Sequence, residues 1–268
     1  MTRIVGVDFS GARDAGRRIW IAEGERNGNG ALVLDRCIPA VDLAGGGMTP
    51  EFAVPALARH IASLGTARVG CDFPFGLPRD LVTARTWRSF ALRYAVEFAN
   101  AHSFRAIMRS RHGAIEHKRR TDITAETPFN SYNLRLFRQT WWGISGVLGP
   151  LVRAGKAIVR PQQRLAEGKP ILIEVCAACT LKSIDLYPPY KGRRPSHGRA
   201  RRRILDHFID SGILVAPARG LRRLLLDNEG GDALDAVIGA VATAHADLAK
   251  DGDTYQRLEG RVYFEIGA

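Results

Sequence analysis

The chain reads as an α/β protein with a mixed five-stranded sheet: a three-stranded antiparallel meander plus parallel strands, flanked by helices, with a helical insertion after the fourth strand. Three observations predict it. Two short apolar runs, Ile4-Val-Gly-Val-Asp8 and Val69-Gly-Cys-Asp72, each end on an aspartate before a Gly- or Pro-containing loop, the pattern of buried strands with a carboxylate at the C-terminal end. Between them stand a hairpin signal and a helix-period segment, the return connection that would lay the second strand parallel to the first. Near the C-terminus, Glu229-Gly-Gly-Asp-Ala-Leu-Asp235 opens a segment rich in Ala, Gly and Thr, so a helix there could sit close against a sheet.

Taken in order, the runs at 17–22 and 31–38 flank Glu25-Arg-Asn-Gly-Asn-Gly30, and residues 3–38 therefore read as the meander. Residues 50–64 have helical spacing, with Phe52, Leu57 and Ile61 among small residues. That helix would bring Asp8 and Asp72 side by side. From 79 to about 165 the pattern is helical, with runs at 87–99 and 134–152 broken by Thr127-Pro-Phe-Asn130 and no convincing strand. It is read as an insertion over 79–168 within a single domain, 1–268, with Trp87, Tyr132, Trp141 and Trp142 in its core. Pro170-Ile-Leu-Ile-Glu-Val-Cys176 is the next strand and carries Glu174. A helix then runs through Phe208, the small-residue helix spans 229–245, and a short strand is expected within 260–266.

The charge balance is strongly basic, 39 Lys+Arg against 27 Asp+Glu and a net +12, which attracts polyanions, nucleic acid above all. Two stretches concentrate it. One holds Arg105, Arg109, Arg111, Lys118, Arg119 and Arg120; the other holds Lys191, Arg193, Arg194, Arg199, Arg201, Arg202 and Arg203 with no acid among them. Arg119, Arg120 and the second group are the candidate contacts to DNA or RNA phosphates. The four cysteines are too few and scattered for a disulfide framework, and Cys176 and Cys179 read as packing residues. With no apolar leader and no membrane-length apolar run, a cytoplasmic location without a membrane partner is expected.

Asp232 and Asp235 are three residues apart and share one helix face, roughly 5–6 Å apart at Cβ. Continuing that face gives Ala236, Gly239 and Thr243. Their helix would point the two aspartates at the sheet edge where Asp8 and Asp72 finish. A charge on an apolar strand is costly unless paired or bound to metal. Carboxylates in this number suit hard cations, Mg²⁺ or Mn²⁺, and paired ions can drive in-line displacement at a phosphodiester. Quieter roles compete: a turn for Asp8, loop backbone for Asp72, and an N-cap with its capping-box partner for Asp232 and Asp235.

The motifs Gly6-Val-Asp-Phe-Ser-Gly-Ala12, Asp72-Phe-Pro-Phe-Gly-Leu77, Thr127-Pro-Phe-Asn130, Ile173-Glu-Val175 and Asp232-Ala-Leu-Asp-Ala236, in this order over nearly the whole chain, resemble the predicted-nuclease family catalogued as domain of unknown function 429. That family belongs to the RNase H-like superfamily and is similar to its Holliday-junction resolvase branch. The resemblance implies a metal-dependent nuclease, a hydrolase, with ligands at Asp8, Asp72, Asp232 and Asp235 and an auxiliary acid at Glu174. Two alternatives stay open: a sugar-kinase or actin-like ATP-binding protein, which also opens on an aspartate-ended first strand, and a nucleic-acid-binding scaffold without catalysis.

Overall fold

The computed structural model describes residues 2–113 and 116–266; residues 114 and 115 of the expected insertion, and 1, 267 and 268 of the expected domain, lie outside the described residues. The chain opens with β1 (Arg3–Asp8), a helical turn α1 (Ala15–Arg18), β2 (Trp20–Arg26) and β3 (Leu32–Pro39). These strands pair antiparallel as the expected meander. Asn27 closes the hairpin, its Oδ1 accepting from the amides of Asn29 and Ala31 at 3.0 Å. β2 starts at Trp20 rather than Arg17, because residues 15–18 coil: Asp14 and Arg18 pair at 2.8 Å, and a Cβ on Gly16 would sit 2.0 Å from the Gly47 carbonyl oxygen.

The return helix α2 (Pro50–Ser63) buries Val54, Leu57 and Ile61. Phe52 departs from expectation at 61% exposed, since five residues of helix rotate it by roughly 140° from Leu57. β4 (Ala67–Asp72) then lies parallel to β1, in a register that pairs Asp8 with Asp72.

Next come α3 (Trp87–Glu97), α4 (Ala101–His112), α5 (Arg120–Thr124), α6 (Phe137–Trp142) with a π-helical continuation at Gly143–Leu148, and α7 (Gly149–Arg153). Trp87, Tyr94, Phe104 and Tyr132 from this stretch share one buried core with Val5, Val7 and Val69 of the sheet, and Trp141 and Trp142 pack against it half-buried. Beyond them lie β5 (Ile158–Val159), β6 (Ile171–Val175), α8 (Ala177–Ser183), α9 (Pro195–Asp210), α10 (Arg219–Asp227), α11 (Asp232–His245), α12 (Gln256–Glu259) and β7 (Val262–Tyr263). The sheet has seven strands among the described residues, not five, in the order β3-β2-β1-β4-β6 with β5 and β7 both on the outer edge of β6. β5 falls where no strand was expected. At two residues, it and β7 are too short to show an alternation, and pairing to β6 defines them.

The other face of the sheet is covered by α11. A Cβ on Gly6 would lie 2.1 Å from the Ala236 carbonyl oxygen, and one on Gly70 would lie 1.9 Å from Thr243 Oγ1. Only glycine admits the helix this closely. Side chains alternate along a strand, so Asp8, two residues after Gly6, and Asp72, two after Gly70, face α11, as the small-residue stripe predicts. Among the described residues no helix is long and apolar enough to cross a membrane.

Candidate functional site

The register that pairs Asp8 with Asp72 puts two carboxylates on adjacent strand ends, about 4.8 Å apart between backbones. Both look towards the first turn of α11, where Asp235 is 3% exposed. With Asp232 they line one cleft of about 360 Å³. Among the described residues no hydrogen bond reaches the Asp8 carboxylate, and Ser10 Oγ closes the turn in its place, accepting from the Ala12 amide at 3.3 Å. Asp72 Oδ2 accepts one long bond, 3.5 Å, from the Ala177 amide.

These acids repel one another in a desolvated setting. Burial first, then the charge of Asp235, holds the Asp8 carboxyl well above the ordinary value. The same causes push Asp72 from 3.8 up to about 7. Asp232 is raised by burial too, with Asp235 adding to it. An ammonium answers them: Lys191 Nζ pairs with Asp235 Oδ2, and its charge pulls the raised pKa values of Asp8, Asp72 and Asp232 part of the way back down. Burial weakens the Lys191 charge, but Asp235 and Asp8 outweigh it and the net shift is upward. Tyr190 donates its hydroxyl to the second oxygen of Asp235 at 2.6 Å. Burial and the Asp235 charge keep that phenol protonated.

A stability prediction follows with its sign. The folded pKa values of Asp8 and Asp72 lie above their unfolded values, so the unfolded chain binds fewer protons; for Asp72 the window runs from 3.8 to about 7, and stability falls as pH rises through it. Asp72→Asn relieves it. In chelator at about pH 8 the variant is expected to melt several degrees above the wild type, with the gap closing near pH 4. A variant melting lower than the wild type at pH 8 would contradict the repulsion described here.

Several expectations are corrected. Asp232 is not the N-cap: Gly231, at φ +81°, takes that position, where a left-handed backbone favours glycine. Asn228 Oδ1 accepts the Ala233 amide at 3.2 Å, and among the described residues neither aspartate makes a cap hydrogen bond. Glu174 pairs in register with Cys71, one residue before Asp72, and so projects from the opposite face of the sheet, although at the strand end it still lines the same cleft as the aspartates. There Arg119 grips it, with Nη1 and Nη2 at 2.8 and 2.5 Å, while the Phe75 amide donates to the same carboxylate at 2.9 Å. Arg119 itself is 1% exposed and also bonds Asp122, so although it lines the cleft its guanidinium is already committed to two carboxylates and not to an open phosphate-binding surface.

Arg201 is corrected likewise. It is buried, donating to the carbonyls of Leu226, Tyr190 and Gly192, because it falls on the inner stripe of α9 with Ile204, Leu205 and Phe208. Arg120 is exposed but stacks over the Tyr255 ring at 3.4 Å, along a different cleft. Arg194, Arg199, Arg202 and Arg203 are exposed, and Arg193 is exposed and paired with Glu229 at 2.9 Å. Lys191 lies in the acid cluster. Cys176 and Cys179, read as packing residues, are joined in a disulfide; Cys176 caps α8 and a spacing of three brings the Cα atoms to 5.2 Å, within bonding range.

Sequence reasoning missed Tyr190 and Gln139. Gln139 Nε2 donates to the Asp72 carbonyl oxygen, and both residues line the cleft with Thr127, Pro128 and Phe129. The short run Tyr187-Pro-Pro-Tyr-Lys191, aromatic and proline-stiffened just ahead of the basic segment, was the available signal for Tyr190. No protein-family model matches the chain, and no curated protein or solved structure matches it.

Proposed function

We propose that the chain is a metal-dependent nuclease of the RNase H-like kind, hydrolysing phosphodiester bonds in DNA or RNA, with Asp8, Asp72 and Asp235 as ligands of Mg²⁺ or Mn²⁺ and Asp232 contributing from the same cleft. The observation that carries this reading is the in-register pair Asp8 and Asp72 lining one cleft with Asp235. The donor set fits a hard cation: every candidate ligand is a carboxylate, and burial with mutual repulsion has raised the pKa values of three of them, a cost that a bound dication relieves. Such ions, when bound, polarise the phosphodiester and lower the pKa of water.

The remaining residues have supporting parts. Tyr190 orients Asp235 through its hydroxyl, and Gln139 holds the backbone at Asp72. Lys191 balances one of the negative charges. Glu174, with both oxygens engaged, acts in this reading as a buttress tying α5 to β6 through Arg119. Arg194, Arg199, Arg202 and Arg203 supply the exposed charge for backbone phosphates, and binding through them weakens steeply with salt. The ATP-binding alternative expects the meander twice, and the described residues hold it once. The test is direct: the purified chain with Mg²⁺ or Mn²⁺ is expected to cut at least one among single-stranded, duplex and branched DNA and RNA substrates, and to stop in chelator. Failure on all of them with both metals would overturn the reading.

A further inference from the structure

Away from the carboxylate cleft, three metal-binding side chains come together from separate segments. Asp80 lies in the 3-10 turn Arg79–Leu81, His112 ends α4, and His117 stands in the connection that leads to α5. One ligand atom from each lies within 4.8 Å of the other two. His117 Nε2 is 2.9 Å from both carboxylate oxygens of Asp80. The rings of His112 and His117 stack nearly parallel, centroids 3.9 Å apart and planes at 11°.

The backbone beneath them is held independently. Arg111 Nη1 donates to the Leu81 carbonyl at 3.0 Å, and its Nη2 to Glu97 Oε1 at 2.8 Å, so the end of α4 is tied to the Asp80 turn. Asp80 and His117 line a cleft of about 470 Å³ that shares no lining residue with the carboxylate cleft.

We propose that Asp80, His112 and His117 bind one borderline dication of the Zn²⁺ class, which clips the end of α4 to the turn after β4 and steadies the chain entering α5. Two imidazoles and one carboxylate select Zn²⁺-like ions over Mg²⁺ and leave a coordination position for water. With metal–ligand bonds of about 2.0–2.1 Å, tetrahedral ligand atoms lie roughly 3.3–3.4 Å apart, so the 2.9 Å contact between His117 and Asp80 opens slightly and the exposed His112 ring turns out of its stack on His117 to aim a nitrogen at the ion. The clip's effect passes to Arg119, which follows His117 and bonds both Asp122 and Glu174. The inference does not depend on the nuclease reading.

Co²⁺ is the probe, titrated into the full chain and followed by its visible absorbance, with Zn²⁺ as competitor, for the wild type, H112A/H117A, D80N and D8N/D72N. D8N/D72N is expected to bind one Co²⁺ that Zn²⁺ displaces, and the wild type to bind that ion beside any taken by the carboxylate cleft. H112A/H117A and D80N are expected to bind more than about tenfold more weakly. Zn²⁺ should raise the melting temperature of the wild type and leave that of H112A/H117A unmoved. Coincident titrations for the wild type and H112A/H117A overturn the proposal, as does an absorbance signal that survives in H112A/H117A and vanishes in D8N/D72N, which would assign the ion to the aspartates.

Discussion

Asp8→Asn is expected to lower metal-dependent cleavage at least about a thousandfold while the chain stays folded. Asparagine keeps the shape of the side chain and removes the charge that a cation needs. Asp8 has no hydrogen-bond partner among the described residues to lose, and its burial against Asp235 already disfavours the ionised form. In chelator the variant is therefore expected to be as stable as the wild type or more so. Initial rates at saturating Mn²⁺, set beside melting curves, separate the two effects. A rate loss accompanied by a lower melting temperature would make Asp8 a folding residue, and an unchanged rate would remove it from the chemistry.

The largest stability effect is expected at Arg119. Its guanidinium bonds Asp122 at 2.9 and 2.7 Å, Glu174 at 2.8 and 2.5 Å, and the Glu259 carbonyl at 3.0 Å. Arg119→Met leaves two buried carboxylates facing each other without a cation, a change that typically costs about 3–5 kcal/mol. Burial already raises Glu174, and the Arg119 charge restrains it; without that charge the folded pKa climbs further above the unfolded value. The unfolded chain then binds fewer protons than the folded one, so the lost stability returns as pH falls. Urea unfolding at about pH 7.5 and pH 5 checks this. A loss under about 1 kcal/mol, or one equal at both pH values, would show that the pair of acids is solvated in a way the geometry does not provide.

Much of the frame was legible because its signals are local. An apolar run ending on an acid marks β1 and β4, an Asn/Gly turn marks the hairpin, and a run of Ala, Gly and Thr marks the helix that must approach Gly6 and Gly70. The convergence of Asp8, Asp72 and Asp235 followed from those three readings together with strand alternation. What stayed hidden depends on partners far along the chain. A register offset of one residue sends Glu174 to the opposite face, and no run of seven residues around it reveals which strand end it will meet. Arg119 and Arg201 look like their solvated neighbours in composition; only the Asp122–Glu174 pair and the inner stripe of α9 turn them inward. Lys191 heads a basic segment yet ends against Asp235, because the preceding Tyr190 is buried and carries it into the cleft.

Crystals soaked in Mn²⁺ and measured at the manganese absorption edge test the central claim most directly. The account predicts anomalous density bounded by the carboxylates of Asp8, Asp72 and Asp235, with Lys191 displaced from Asp235. Density confined to other parts of the molecule, with Lys191 still paired to Asp235 at saturating metal, would contradict it.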